Sequence, residues 1–288
     1  MKHFVITNPA TRAEQNDLLA ALPAIDFQRL QPHLKLVHLS LDQRVCGPRE
    51  QFRHVYFPTT AIISKIYTLE DGASTEVGMV GREGFVGVSL FLGGNSTLTQ
   101  AIVKREGDAL QLPTAVLLDN FNHHETVKQL LLRYMMALLA QMAQIVVCYR
   151  HHVVDHQLSR LLLMHLDRMS SNDLLMTHEL IAHMLGVRRE SITEAMHKLE
   201  VAGVISTSRG HISVLDRAAL ENMSCECYAA IRNEYDRLLP SRATSPRVAV
   251  TRNRVSRPTV QYTFQPRPTK INLASQHLAD AVRDEIPS

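Results

Sequence analysis

Glycine is concentrated in one part of this sequence, and that concentration restricts the fold more than any other feature. Nine of the twelve glycines lie between Gly47 and Gly107. Because glycine marks turns, this block is expected to hold short strands separated by tight turns. Five short runs of β-branched or aromatic residues lie within it or directly after it: HVYFP, AIISKIYTL, STEVGMV, QAIVKR and ALQLP. The pattern predicts an all-β barrel or sandwich.

The segment that follows has the opposite composition. No proline occurs in residues 114–239, and Gly186 is the only glycine in residues 108–201. Long helices favour such a composition, and we predict one over residues 125–151 and a second over residues 154–169. A β-rich first part and a helical second part predict an α+β protein, and the length of 288 residues suits two domains.

The predicted helix over residues 125–151 is apolar on more than one side, and at 1.5 Å rise per residue it is about 40 Å long. Two interpretations are open: a core helix that packs on its own β-domain, or the seam of a homodimer. The homodimer is favoured because one apolar side would already satisfy an intramolecular contact. The heptad positions used for this prediction are Leu131, Leu138 and Ile145, with Tyr134, Gln141 and Cys148 interleaved.

Charge and cysteine content exclude several classes of protein. The net charge is only +3, which excludes a histone-like polycation. The most apolar stretch, residues 130–148, contains Arg133 and two glutamines, so we expect no membrane span. The first residues lack the apolar segment of a secretory signal. The four cysteines are too few and too scattered for a disulfide framework, which predicts reduced thiols and a cytoplasmic location.

Residues 241–288 form a third compositional zone. They contain eight Lys or Arg against three Asp or Glu, and six of the twelve prolines lie from Pro240 onward. This composition predicts a disordered basic tail with a short helix near residues 274–284. Two roles stay open for the tail: extra non-specific affinity for phosphate, or a solvated segment with no set role.

A helix-turn-helix pattern lies in residues 177–200, which read THELIAHMLGVRRESITEAMHKLE. Thr177 is a favourable N-cap for a short first helix. Ala182 is small where two helices must cross closely, Gly186 supplies the turn, and Ile192 is an inward apolar residue six positions later. This spacing is typical of two helices near a right angle, the second of which enters the major groove of DNA. The alternative is an ordinary amphipathic hairpin with solvated charges.

The second helix of this pattern has an apolar and a polar side when its residues are placed about 100° apart. The apolar side consists of Ile192, Ala195, Met196 and Leu199. The polar side consists of Arg189, Glu190, Thr193, Glu194 and His197. Arginine can pair with guanine and glutamate can accept from cytosine, so the polar side is predicted to contact base edges.

A hairpin is predicted after this helix, from strand-like runs at residues 204–206 and 211–215 around a turn at residues 208–210. In that position a hairpin is a wing, and Arg209 at its tip is expected to reach a phosphate. Residues 170–239 carry seven Lys or Arg against ten Asp or Glu, so binding must depend on the local placement of a few arginines. The predicted DNA contacts are Thr177, Arg188, Arg189, Glu190, Thr193, Glu194, His197, Ser208 and Arg209.

A glycine-rich β-domain, a long helix and a winged helix-turn-helix containing RRESITE together resemble the Crp/Fnr family of bacterial transcription regulators. The resemblance covers about residues 18–240 and is strongest at LLMTHELIAHMLGVRRESITEAMHKLEVAGVI. It implies a jelly roll of the cyclic-nucleotide-binding type at 18–122, a dimerisation helix at 123–152 and a winged helix-turn-helix at 153–240. The tail, 241–288, lies outside it.

Within that family, Arg189 and Glu190 match the base-reading Arg-Glu pair, while Glu194 stands where many members carry another arginine. Cyclic-AMP-binding members have a glutamate after an F-x-G motif and an arginine further on. Here Phe85, Gly87 and Gly94 fit, but Val88 replaces the glutamate and residues 95–103 hold no arginine. An unpaired phosphate is costly in a half-buried pocket, so we predict no cyclic AMP binding through the usual contacts. The effector stays unknown.

Other candidate ligand sites are weaker. Oxygen-sensing members of the family hold an iron–sulfur cluster on N-terminal cysteines, and no cysteine precedes Cys46 here. Cys225 and Cys227 are two apart and could make a redox or metal contact, but structural thiols are favoured. The histidine pairs at 123–124 and 151–152 are not expected to bind metal, because neighbours on a helix point to different sides. We therefore expect no metal, no cofactor and no enzyme activity.

The expected partners are double-stranded DNA, a second copy of the chain, RNA polymerase and an unidentified small-molecule effector, without a membrane. Two other functions stay open. A jelly-roll metalloenzyme of the cupin type would need clustered histidines on strands, and only His54 lies in the strand block. A ligand-sensing module could instead use its helix-turn-helix to bind protein.

Overall fold

The structure, a computed structural model, describes residues 13–94, 96–169 and 171–240. The predicted basic tail, 241–288, and the short helix expected near residues 274–284 lie outside the described residues.

The first part of the chain folds into a β-roll. Two short helices precede it, α1 (Asp17–Ala20) and α2 (Ala24–Leu30), with a 3-10 turn at Gln31–His33. Its strands are β1 (Lys35–Leu39), β2 (Arg44–Cys46), β3 (His54–Pro58), β4 (Ile62–Thr68), β5 (Ser74–Val80), β6 (Gln100–Arg105) and β7 (Gly107–Pro113). The five predicted runs all form strands, which confirms that the first part of the chain is β-rich.

The strands pair antiparallel in two sheets, ordered β1-β7-β3 and β2-β6-β4-β5. Strand β7 is central in the first sheet, with Val37 opposite Ala109 and Phe57 opposite Leu110. The inward side chains of both sheets share one apolar core, which includes Val55, Phe57, Ile63, Val103 and Leu110. Strands β1 and β2 were not predicted. The first has two exposed, two half-buried and one buried residue, and the second has only three residues, so neither gives a clear strand pattern.

Two helices follow the β-roll, α3 (Thr114–His123) and α4 (Glu125–His151). Helix α4 has the predicted bounds. The six heptad residues that were predicted to form a dimer interface, however, are not available for one. All six heptad residues are buried within the protomer. The Tyr134 hydroxyl donates to the Phe85 carbonyl at 3.2 Å, and Gln141 Nε2 donates to the Met79 carbonyl at 3.1 Å. The first part of this side of α4 is therefore a core contact with the β-roll, whereas Ile145 belongs to the apolar cluster of the helical part and Cys148 lies against Cys225 and Cys227.

A second apolar side of α4 has no partner within the described chain. Its large exposed residues are Met136, Leu139, Val146 and Val147. By length and hydropathy alone α4 could span a membrane, with a mean hydropathy of 1.7 over the best window, of which 44% is buried in the protomer. One such helix is weak evidence for a membrane protein, because core helices pass the same criterion.

The last part of the chain is helical, with a small sheet. Helix α5 (Val154–Leu166) ends three residues before the predicted end. The elements that follow are β8 (Asp173–Leu175), α6 (His178–Leu185), α7 (Arg189–Val201), β9 (Ile205–Ser208), β10 (His211–Val214), α8 (Arg217–Met223) and α9 (Glu226–Leu238). The sheet has the order β8-β10-β9. Helix α9 returns to pack against α4.

The β-roll and the helical part share a buried interface. Ile62 and Met79, on the outer side of the roll, join the apolar cluster of the helical part. Arg168 crosses the interface: Nε donates to Glu83 Oε1 at 2.8 Å, and Nη2 donates to Gln141 Oε1 at 2.9 Å. Glu76 is also buried there, and burial raises its pKa to about 7, against the opposing effect of its hydrogen bond from Ser64.

Candidate nucleic-acid interface

Helices α6 and α7 form the predicted helix-turn-helix. Thr177 caps α6, with its Oγ1 accepting from the Leu180 amide at 3.1 Å. Gly186 ends α6 in the left-handed region, at φ 66°. A Cβ at Gly186 would lie 2.6 Å from Thr75 Oγ1 on β5, so the position excludes side chains by both conformation and space. The turn is therefore fixed locally by a cap at one end and a glycine at the other.

The predicted division of α7 into two sides is confirmed. The four residues of its apolar side, Ile192, Ala195, Met196 and Leu199, are all buried. The residues of its other side are all exposed: Arg188, Arg189, Glu190, Thr193, Glu194 and His197. Because the buried side anchors α7 in the domain core, the exposed side is a rigid surface rather than a loop.

Two arginines stand at the start of α7. Arg188 is its N-cap, with extended backbone at φ −72° and ψ 146°, and Arg189 is its first helical residue. Neither guanidinium forms an ion pair with another described residue. The amide groups of the first turn lie at the positive end of the helix dipole. Two unpaired cations beside this helix terminus form a surface suited to a polyanion.

Three of the predicted contact residues already have intramolecular partners. The Thr193 hydroxyl donates to the Arg189 carbonyl at 3.2 Å and lies 3.0 Å from His178 Nδ1. Glu194 Oε1 lies 3.0 Å from Lys198 Nζ, which also contacts Asp155. The Thr177 hydroxyl is used as a cap. These three side chains are therefore already hydrogen-bonded or ion-paired within the protomer.

His178 and Lys198 were not among the predicted site residues. Lys198 follows Glu194 by four residues, a spacing that predicts an ion pair on a helix. The contact of His178 with Thr193 joins residues of different helices, and no local pattern indicates it.

The predicted wing is present. Strands β9 and β10 pair with Thr207 opposite Ile212. Arg209 and Gly210 form the two-residue turn, both with positive φ, 44° and 83°. Such turns follow the twist of paired strands and favour glycine at one position. Ser208 and Arg209 are exposed, so the wing presents a cation at its tip.

Residues 84–94, which include the F-x-G motif that resembles a cyclic-nucleotide site, belong to the β-roll. Phe85 is fully buried, with ring centroids 5.6 Å from Phe57, 5.7 Å from Phe91 and 5.1 Å from Tyr134. Val88 begins a 3-10 helix, Val88–Phe91, and supplies no carboxylate. A different charged group, Lys65 of β4, is buried in the roll, and burial lowers its pKa.

A further group of ligand-type side chains comes together at the end of α4. The structure places Cys148, His152, Cys225 and Cys227 with their donor atoms within 4.8 Å of one another. The sequence favours structural thiols at Cys225 and Cys227 and predicts no metal bound by the histidine pair at 151–152. The available signals were the C-x3-H spacing at 148–152 and the C-x-C spacing at 225–227. Neither predicts that the two segments meet.

Comparisons with known proteins agree with this geometry. Residues 156–223 match the family model of the Crp-like helix-turn-helix domain. No curated protein matches the chain. Among solved structures, a Crp/Fnr-family chain from Eubacterium rectale is 17% identical with a TM-score of 0.57, covering 73% of this chain and 98% of its own.

Two further solved structures have comparable values. A CRP-family transcriptional regulator from Thermus thermophilus is 20% identical with a TM-score of 0.56, covering 65% of this chain and 96% of its own. FixK2 from Bradyrhizobium japonicum is 17% identical with a TM-score of 0.57, covering 67% and 98%. At these identities the likeness establishes the fold, and the α+β architecture inferred from the sequence is confirmed.

Proposed function

We propose that this chain, which has the fold of the Crp/Fnr transcription regulators and carries a Crp-like helix-turn-helix domain, is a homodimeric transcription regulator that binds specific DNA sequences through α7. The single observation that carries the proposal is the exposed polar side of α7, held rigid by four buried residues on the opposite side. The proposed role is binding rather than catalysis, and the proposed location of the protein is the cytoplasm.

The exposed residues divide into three groups by reach and chemistry. Arg189 and Glu190, in the first turn of α7, are proposed to contact base edges, with His197 further along the same side. Arg188 and Arg209 are proposed to contact phosphates on either side of the groove. The remaining predicted residues are proposed to orient these contacts: Thr177, Thr193, Glu194 and Ser208.

The homodimer is proposed to form through the exposed apolar side of α4, not through the heptad residues. Met136, Leu139 and Val146 are 50%, 49% and 60% exposed, although they are apolar residues on a long helix. Their spacing of three and seven residues places them on one side, as in helix pairs that associate. A dimer would present two copies of α7, which on DNA must lie about 34 Å apart, one helical turn.

This interface can be tested by charge insertion. Val146→Glu should give a monomer in light scattering, because a carboxylate would be buried at the seam. Val201→Glu is the matched control, since Val201 is 74% exposed on α7 and outside α4. A Val146→Glu protein that stays dimeric would exclude this seam.

The β-roll is proposed to be the effector domain, at residues 18–122, preceding a dimerisation helix at 123–152 and the DNA-binding domain at 153–240. With valine at position 88, cyclic AMP would lose its usual ribose contact. The buried ammonium of Lys65 favours an anionic effector of another kind, since a buried cation is stabilised by an opposite charge. RNA polymerase is proposed as a protein partner by analogy with the fold.

DNA binding can be tested without knowing the operator. Genomic fragments bound by the wild-type chain are selected, and the most enriched fragment is used in gel shifts. Arg188→Ala/Arg189→Ala should weaken binding by at least tenfold, on the scale of about 1–3 kcal/mol for each lost contact. Arg237→Ala, an exposed arginine on α9 paired with Glu234, is the control and should bind like wild type. Equal binding by all three proteins, or no enriched fragment, would contradict the proposal.

A further inference from the structure

Four potential metal ligands converge where the end of α4 meets the start of α9. Cys148 lies in the last turn of α4 and His152 is its C-cap. Cys225 is the N-cap of α9 and Cys227 lies in its first turn. All three thiols are buried and the imidazole is partly buried. The four donor atoms lie within 4.8 Å of one another.

Two of the six donor–donor distances in this cluster are close to the edges of a coordination tetrahedron, and all six are within 4.8 Å. Cys148 Sγ and Cys225 Sγ are 3.5 Å apart, and Cys227 Sγ and His152 Nδ1 are 3.4 Å apart. Zinc with bonds of about 2.3 Å to sulfur and about 2.0 Å to nitrogen gives tetrahedral edges of roughly 3.5–3.8 Å. A disulfide would need sulfurs about 2.05 Å apart. We propose that Cys148, His152, Cys225 and Cys227 bind one tetrahedral metal ion of the zinc class.

The surroundings orient the ligands as they do in metal sites. The imidazole of His152 faces the thiols with Nδ1, while its Nε2 lies 3.5 Å from Glu226 Oε2. A carboxylate on the far nitrogen fixes the tautomer and raises the basicity of the metal-binding one. Gln144 Nε2 donates to Cys227 Sγ at 3.1 Å, as an outer-shell donor to a thiolate does.

A buried arginine beside the cluster supplies an independent observation. Arg160 of α5 is fully buried, and its Nε and Nη2 have no hydrogen-bond partner among the described residues. Its guanidinium lies 5.5 Å from the centre of the Tyr149 ring and interacts electrostatically with Cys148. A buried cation is costly without an opposite charge nearby, and the acidic group that interacts with Arg160, Glu76, is itself buried with a pKa raised to about 7.

Metal binding would supply that opposite charge. A divalent ion with three thiolates and one neutral imidazole carries a net single negative charge. The thiolates also lie near the N-terminus of α9, where the helix dipole stabilises anions. With four protein ligands the coordination is closed, which is typical of a structural rather than a catalytic site. The ion would fasten the end of α4 to α9.

The test uses the full chain purified under reducing conditions. Elemental analysis should find one zinc per chain. Cobalt(II) should bind with the visible bands of a tetrahedral site and with near-ultraviolet charge transfer of an intensity appropriate to three thiolates. Cys148→Ser, Cys225→Ser and Cys227→Ser should each lose this spectrum or reduce its charge transfer.

Two controls match the ligand variants closely. Cys46→Ser removes the one cysteine outside the cluster and should leave the spectrum unchanged. His151→Ala removes the exposed neighbouring histidine and should bind cobalt like wild type, whereas His152→Ala should bind at least tenfold more weakly. Glu226→Gln should weaken binding about tenfold through the outer shell.

If a variant fails to fold, metal binding by the wild-type chain still tests the proposal. A folded wild-type protein that takes up no zinc or cobalt under reducing conditions would overturn it. So would cobalt bound without thiolate charge transfer, or a Cys148–Cys225 disulfide that forms in air at the same rate with and without zinc. One tightly bound ion, removed by a chelator and restored by zinc with the same spectrum, would support it.

Discussion

The start of α7 and the interface between the β-roll and the helical part both hold arginines, but in opposite environments. Arg188 and Arg189 are exposed and make no ion pair with a described residue. Arg168 is buried and bonds to Glu83, Gln141 and the Met164 carbonyl. An exposed, unpaired cation costs the protomer little and is available to a partner, whereas a buried, hydrogen-bonded one cannot be removed without leaving its partners unpaired. Arg188 and Arg189 are thus available for binding, whereas Arg168 is part of the folded core.

The largest effect on stability is expected at Arg168. Arg168→Ala leaves Glu83 and the Gln141 amide without their buried partner, and breaking a buried pair costs about 3–5 kcal/mol. Chemical denaturation of the variant and of Arg237→Ala measures this, and the exposed Arg237 pair should contribute nothing detectable. An Arg168→Ala protein as stable as wild type would remove the distinction between the two regions.

The next effect concerns Glu76 in the same interface. Its pKa is raised to about 7, mainly by burial, so the folded state favours the protonated form. This contribution to stability is complete below the unfolded pKa, near 4.5, and is lost as pH rises through about 7. Wild type should therefore lose about 3 kcal/mol relative to Glu76→Gln between pH 4.5 and pH 8. Parallel stability curves for the two proteins would show that Glu76 titrates normally.

A smaller effect, on binding alone, is expected at Arg189. Arg189→Ala should lose about 1–3 kcal/mol of operator affinity, because a contact to a base edge is removed. Its stability should change by less than about 0.5 kcal/mol, because the side chain is exposed. Gel shifts and denaturation on one preparation measure both. A stability loss that matches the affinity loss would mean that Arg189 acts through folding.

The smallest effect is expected at the wing. Arg209→Ala should weaken binding to all sequences about equally and reduce the slope of log affinity against log salt by about 1. Titrations at several salt concentrations, with the selected fragment and with a scrambled one, measure this. A loss confined to the selected fragment would instead make Arg209 a base-reading residue.

The sequence was most informative where structure is decided locally. The cap at Thr177, the left-handed Gly186 and the inward residues of α7 follow from spacing alone, and the structure confirms each of them. The predicted strands follow from turns and apolar runs in the same way, whereas β1, β2 and β8 were not predicted; β2 and β8 have only three residues each. The charged side of α7 was also predicted. The contact between His178 of α6 and Thr193 of α7 was not predicted, because it joins two helices.

The prediction was wrong where two choices have equal local support. Helix α4 has two apolar sides, and a heptad pattern does not indicate which of them meets the β-roll. Leu138 packs in the core of the roll and Ile145 in the apolar cluster of the helical part, and Leu139 and Val146 are left exposed. The Cys and His cluster was missed because Cys148 and Cys225 are 77 residues apart in sequence, so that only the return of α9 to α4 brings them together.

The central claim is that two copies of α7 bind one duplex. Hydroxyl-radical footprinting of the selected fragment tests it most directly, with the stoichiometry of the complex determined on the same sample. Two chains per duplex, with two protected half-sites about 10 base pairs apart, are predicted, together with loss of both in Arg188→Ala/Arg189→Ala. A single protected site bound by one chain, or protection that persists in the double variant, would contradict the account.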